Sequence, residues 1–345
     1  MPVDDLMSLP GSDPTRAYAY RDTLYAADLI TAALVHFDVF SALGDAPATL
    51  EQFCARHRFA RRPADVLLTL CVANEFVTCN GDGSFALTGT GRDFLTKGSP
   101  WGLAPYYASL KDRPVTLDYV RVLTTGRPAN WGGDRGARDW HRAMEDEAFA
   151  QMFTATMDCR GRLLGPALAR RLDLGRNRRV LDVAGGSGIY AAALVAAHPG
   201  LEATVLEQPP VDHIARTCLA ALGLGGRVRV AAGDLFQEAW PEDCDVHLIS
   251  NVLHDWEEPE IASILSRSFE AMPPGGLLVI HDAFLNPEKT GPLAVAEYSA
   301  LLMHSTQGRC YSIREYSDLL AAAGFEVGRY EETLVHRGFL TAHKR

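Results

Sequence analysis

The segment Asp182-Val-Ala-Gly-Gly-Ser-Gly188 closes an apolar run, Val180-Leu-Asp-Val-Ala, and is followed by a helical pattern from Ile189 to Ala197. Glycines at a strand end that opens a helix let the backbone approach a ligand closely, and the helix N-terminus favours polar or anionic groups. The same alternation continues downstream. Ala203-Thr-Val-Leu-Glu, Val228-Arg-Val-Ala-Ala, Val246-His-Leu-Ile-Ser and Leu277-Leu-Val-Ile-His read as strands, with helices near 212–222, 258–272 and 312–323. This rhythm predicts a Rossmann-like, doubly wound α/β domain with a largely parallel sheet. In such sheets a ligand sits beyond the carboxyl ends of the strands.

At 345 residues the chain exceeds the ~100–200 typical of one domain, so more than one is expected. The expected boundaries are 1–105 for a mostly helical module, 106–170 for a helical bridge, and 171–345 for the α/β domain. In the first stretch, Thr49-Leu-Glu-Gln reads as a capped helix start and a second apolar helix follows Phe59. Two short strands then flank Asn80-Gly-Asp-Gly, so helix, helix and hairpin suggest a winged helix. Its arginines 56, 58, 61 and 62 could touch phosphates. With 33 Lys plus Arg against 43 Asp plus Glu and a formal charge of -10, the balance opposes nucleic acid as a partner. The uncharged run from Val183 to Leu201 is broken by glycines and a proline, and no membrane partner is expected. Seven scattered cysteines and a start lacking the basic-then-apolar pattern of a signal peptide point to reduced thiols and a cytoplasmic address.

Three acids stand at successive strand ends. Gly186-Ser-Gly-Ile-Tyr-Ala191 also satisfies the dinucleotide fingerprint, with Glu207 about 20 residues on. Asp182, however, stands just before the glycines, where a carboxylate would repel a pyrophosphate but suits an ammonium-bearing methionine tail. Glu207 can accept both ribose hydroxyls. Asp234 of Gly233-Asp-Leu-Phe is placed for an adenine amine, with Leu235 or Phe236 over the ring. The set suits adenosine joined to an amino acid better than a nicotinamide dinucleotide.

The ordered motifs V-L-D-V-A-G-G-S-G, V-L-E-Q-P-P-V, G-D-L-F, N-V-L-H-D-W and P-P-G-G-L-L-V-I-H-D resemble class I S-adenosylmethionine (SAM)-dependent methyltransferases of the small-molecule O-methyltransferase family. The resemblance covers nearly the whole chain. It implies a winged-helix-like dimerisation domain, hence a homodimer, and a SAM site at Asp182, Ala184, Gly185, Gly186, Gly188, Glu207, Gln208, Gly233, Asp234, Leu235 and Asn251. Ala184 stands where the family more often has glycine.

The same resemblance makes His254 the catalytic histidine and puts Asp282 where plant-type relatives carry a supporting glutamate. A histidine, with its near-neutral pKa, suits a general base. Cys310 replaces a glutamate common in phenol O-methyltransferases. Together with His304, this feature resembles the metal-dependent branch that C-methylates 2-oxo acids. The expected metal set is then His254, Asp282 and His304 around one divalent ion, zinc or iron, that stabilises an enolate, with His281 and Cys310 as outer or alternative ligands. The other reading keeps His254 as proton acceptor for an aromatic hydroxyl, without metal. Phe153, Met157, Trp140 and Met303 are the candidate pocket walls, and Arg160 or Arg309 the candidate partner of a substrate carboxylate.

Overall fold

The computed structural model describes residues 6–129 and 143–345. In chain order its principal elements are α1 (Leu50–His57), α2 (Arg61–Ala73), β1 (Val77–Cys79), β2 (Phe85–Leu87), α3 (Pro114–Thr125), α4 (Glu147–Ala169), β3 (Arg179–Val183), α5 (Ile189–Ala197), β4 (Glu202–Glu207), α6 (Val211–Ala221), β5 (Val228–Ala232), β6 (Val246–Ser250), α7 (Glu258–Ala271), β7 (Leu277–Asp282), α8 (Leu293–Ser305), α9 (Ile313–Ala322), β8 (Glu326–Glu332) and β9 (Gly338–His343). They form two compact units rather than the three expected stretches. One comprises Met1–Thr15, Arg138–Phe284 and Ile313–Arg345; the other Arg16–Ala137 and Leu285–Ser312.

The first unit holds a seven-stranded sheet in the order β5-β4-β3-β6-β7-β9-β8, the doubly wound α/β arrangement the sequence predicts. Strands β5 to β7 pair in parallel, while β9 runs antiparallel to β7 and to β8. β7 is buried along its whole length and β3 along all but its first residue, which is why both read as unbroken apolar runs. The sequence reading missed β8 and β9. β8 is a half-exposed edge strand, Glu-Val-Gly-Arg-Tyr-Glu-Glu, and its charges mask the pattern. α5 is alanine-rich and buried, and it follows Gly188 at φ 78°, a left-handed position where a Cβ would also crowd Val205 at 3.1 Å. α4, expected in a bridge, packs on α5: a Cβ at Gly161 would fall 2.3 Å from the Ile189 side chain.

The second unit is helical apart from the β1–β2 hairpin. Thr49 and Gln52 form a capping box on α1. Helix, helix and hairpin follow in the expected order. Segment 285–312, expected within the α/β domain, brings α8 against α2 here. Of the basic cluster, Arg62 donates to the carbonyls of Gly308 (2.8 Å) and Gly126 (2.7 Å), and Arg56 to that of Ala42 (2.6 Å). The Arg62 guanidinium is thus taken up within this unit, whereas Arg56 stays at the surface. Among the described residues no single helix is long and apolar enough to cross a membrane.

Candidate active site

The carboxyl ends of β3, β4, β6 and β7 carry the expected acids and imidazole of the sheet unit. Asp182, 1% exposed, accepts from the Ala191 amide at 3.1 Å with Oδ2, so part of its role is to cap the first turn of α5. Its Oδ1 is buried without a hydrogen-bond partner. The glycine turn curls around this carboxylate: Ala184 takes φ 51°, and a Cβ on Gly185 would lie 2.6 Å from the Asp182 carboxyl carbon. Burial raises the Asp182 carboxyl to about 7, the Ala191 amide opposing and the Glu207 charge adding to it.

Glu207 ends β4 with one oxygen accepting the Gly186 amide (2.9 Å) and the other the Gln208 amide (3.0 Å). Burial outweighs those two amides and lifts it to about 7 as well. The Gly233 amide donates to the Glu207 carbonyl at 3.0 Å. Asp234 is half-buried and accepts from the Phe236 amide at 2.7 Å, which makes the turn that presents Leu235 and Phe236; the Phe236 ring meets Trp256 edge-on at 4.7 Å. Asn251, left-handed at φ 55°, donates to Tyr190 Oη (3.1 Å) and Ser250 Oγ (2.9 Å), and its Oδ1 is a second buried acceptor lacking a partner.

His254 lies in the short turn after β6 and is 3% exposed. Its Nδ1 meets Asp282 Oδ1 at 2.5 Å across the neighbouring parallel strands, and Asp255 stands 3.7 Å from its Nε2. Asp282 also accepts from the Ala283 amide (2.7 Å) and from Tyr316 Oη of α9 (3.3 Å). Burial would push Asp282 up, but the His254 charge and hydrogen bond, the Ala283 amide and Arg337 outweigh it and hold the carboxyl below its ordinary value. Burial lifts Asp255 to about 6, against the pull of His254 and Arg160.

Of the proposed pocket residues in this unit, Arg160 of α4 is buried, contacts Met157 Sδ at 3.5 Å, and exerts its charge on Asp255, Tyr190 and His281. Phe153 is half-buried and packs on Met144, Ala150 and Val211. Met303 is fully buried in the helical unit, and Trp140 falls outside the described residues.

The metal set is not assembled. His304 belongs to the helical unit, where Nε2 contacts Asp118 at 3.2 Å and the ring packs on Tyr25 and Tyr119. Burial keeps it below the ordinary imidazole value despite Asp118. Among the described residues no three His, Cys, Asp or Glu side chains are grouped to hold a metal. The helical periodicity that placed His304 on a helix carries no information about which unit that helix joins. His281 is likewise a core residue: it is fully buried, Nδ1 meets Ser250 Oγ at 2.9 Å, and burial depresses it to about 3. Arg309 lies 3.6 Å from Asp65 and over the Tyr311 ring at 4.1 Å, a pairing within the helical unit. Tyr190, Tyr316 and Arg337 were missed by sequence reasoning, and Asp255, read beside His254, was given no role. That adjacency was its signal.

Residues 119–326 match the O-methyltransferase domain family. The 3-hydroxy-5-methyl-1-naphthoate 3-O-methyltransferase of Streptomyces sahachiroi is 31% identical over 314 residues, covering 90% of this chain and 89% of that protein. The L-tyrosine C(3)-methyltransferase of Streptomyces lavendulae is 28% identical over 305 residues, covering 85% and 82%. Among solved structures, an O-methyltransferase family 2 protein of Planctomyces limnophilus in complex with apigenin superposes with a TM-score of 0.89 at 30% identity, with 100% of each chain covered.

Proposed function

This chain belongs to the O-methyltransferase domain family and is a SAM-dependent methyltransferase, and on that premise we propose that it methylates a hydroxyl group of an aromatic small molecule with His254 as the base. The observation that carries this reading is the buried His254–Asp282 pair, 2.5 Å apart at the carboxyl ends of β6 and β7. An acid on Nδ1 holds that nitrogen protonated and leaves Nε2 proton-free, the form a general base needs.

The described residues suit the cofactor. Asp182 Oδ1 and Asn251 Oδ1 are buried acceptors without a donor, and such atoms are costly unless a ligand or water meets them. A ligand rich in N–H and O–H groups fits. Asp182 and Asn251 would receive polar groups of the methionine moiety, Glu207 the ribose hydroxyls, and Asp234 the adenine amine. When bound, SAM supplies a methyl carbon for in-line displacement, the electron pair of the broken C–S bond remaining on sulfur. His254 takes the acceptor's O–H proton on Nε2 as the acceptor oxygen bonds to that carbon. Asp255, 3.7 Å from Nε2, stabilises the imidazolium so formed. It supplies a second carboxylate beside the base despite the cysteine at 310.

The metal-assisted C-methylation of 2-oxo acids loses its support, because that reading needed His254, Asp282 and His304 on one ion. The naphthoate relative, with its ring hydroxyl and carboxylate, favours a hydroxyarene acceptor, with Arg160 as the cation for an anionic group at the site. Exposed Tyr20, Leu24, Trp101 and Tyr106 in the helical unit supply apolar surface for the homodimer the family resemblance implies. Incubation with methyl-labelled SAM against phenols and 2-oxo acids, with and without a chelator, tests the assignment. Label on a phenolic oxygen, unaffected by chelator, is expected; chelator-sensitive label on carbon beside a ketone refutes it.

A further inference from the structure

Arg337 is 1% exposed although it belongs to the turn between β8 and β9. The turn is folded so as to bury it. Val335 and His336 take φ 49° and 59° in the left-handed region, where a β-branched valine is disfavoured. Thr333 donates to the Arg337 carbonyl from its amide (2.8 Å) and its hydroxyl (3.0 Å), and Arg337 Nη1 donates to the Val335 carbonyl at 3.1 Å. The next residue, Gly338, is the register partner of Asp282 across β9 and β7. Arg337 is thus buried just before β9, one residue from the register partner of the catalytic carboxylate, and its charge acts on Asp282.

A buried cation seldom stabilises a fold better than an apolar side chain of similar size, so its presence here calls for another use. We propose that Arg337 is a positioning residue of the methyl-transfer site: a cation buried just before β9, the strand next to β7, that adds to the groups favouring the carboxylate form of Asp282, so that His254 presents a proton-free Nε2. The inference rests on His254 acting as base. Around the pair stand Asp255 after β6, 3.7 Å from His254 Nε2, Tyr316 of α9 on Asp282 Oδ2, His281 on β7, which feels the Asp282 charge, and Arg160 on α4, which acts on Asp255. Arg337 also exerts its charge on His281 and Tyr190.

The sign follows directly. Loss of a neighbouring cation raises the proton affinity of the His254–Asp282 pair, so the acidic limb of the kcat profile moves to higher pH. In Arg337→Met the limb is expected to rise by up to about 1 pH unit, the low end for an opposite charge nearby, which makes the variant up to roughly tenfold slower than wild type on that limb and nearly equal to it on the plateau. S-adenosylhomocysteine affinity stays unchanged, and Arg337→Lys, which retains the charge, returns the limb to its wild-type position. A merely structural arginine would lower stability in Arg337→Met and leave the limb in place, which overturns the proposal. Should Arg337→Met not fold, Arg337→Gln and Arg337→Lys are read instead, and a limb that moves equally in both, or in neither, overturns it. A wild-type profile with no acidic limb refutes the His254 base and this proposal with it; a limb present in wild type but unmoved by Arg337→Met refutes the role of Arg337 alone.

Discussion

Replacing Asp282 by asparagine probes the catalytic pair with little change of shape. In the native site Asp282 Oδ1 meets His254 Nδ1 at 2.5 Å in a region excluded from water. An asparagine amide can instead donate an N–H to Nδ1, which drives the imidazole proton onto Nε2, where the base must be proton-free. General base catalysis contributes about 10² to 10⁴ in rate, so kcat at pH 7 should fall by about 10³. The acceptor supplies an internal control. A phenol with a pKa of about 10 ionises roughly tenfold more with each pH unit below that value, and an acceptor already ionised needs no base. The ratio of wild-type to variant kcat should therefore shrink by about tenfold per unit between pH 7 and 10. Single-turnover methyl transfer across that range is the assay, with S-adenosylhomocysteine affinity by calorimetry as the control for folding. A ratio that stays constant with pH, or a loss confined to cofactor affinity, would refute the assignment of His254 as base.

Two further outcomes follow from the cofactor cradle. Gly185→Ala places a Cβ 2.6 Å from the Asp182 carboxyl carbon; overpacking of about 1–3 kcal/mol should weaken S-adenosylhomocysteine binding by roughly tenfold or more in calorimetry, and unchanged affinity would show that the turn does not contact the cofactor. Asp182 and Glu207 are each lifted to about 7 in the free protein, so the folded state retains protons that an unfolded chain releases near pH 4; their contribution to stability falls as pH rises between those values and is level above. A ligand with an ammonium and hydroxyl donors favours the ionised forms, so binding at pH 6.5 should release protons, seen as a dependence of calorimetric enthalpy on buffer ionisation heat; proton uptake would contradict the placement.

The parts of this site legible in the sequence were those encoded within a few residues. The glycine turn, the strands it follows and the acids at their ends announce themselves because strand, turn and helix onset are local, and the acid positions follow from strand ends. Asp182 shows the limit: its placement was legible, whereas its bond to the Ala191 amide became apparent only with α5 folded over it. His304 could not be assigned by spacing, since a helix pattern is silent on the surface that covers it, and Asp118 lies far away in sequence. Tyr316 reaches Asp282 from α9, and the charge of Arg337 acts on it from a hairpin whose polar edge strand hides the alternation on which strand reading depends. The metal expectation arose from the same cause: three plausible ligands were grouped by residue type before anything fixed which of them share a unit.

Among the described residues the polypeptide passes between its two units at 15/16, 284/285 and 312/313. Two of these passages bound the excursion 285–312, one just after Asp282 and one just before the helix that carries Tyr316. Leu285 donates to the Tyr311 carbonyl at 3.0 Å, stitching the outgoing and returning strands of the excursion together. Neither half of this protein can therefore be excised as a single contiguous fragment. Exchanging the helical unit for a relative's would mean exchanging 285–312 together with the earlier helices, since a chimaera joined at one junction would divide that unit.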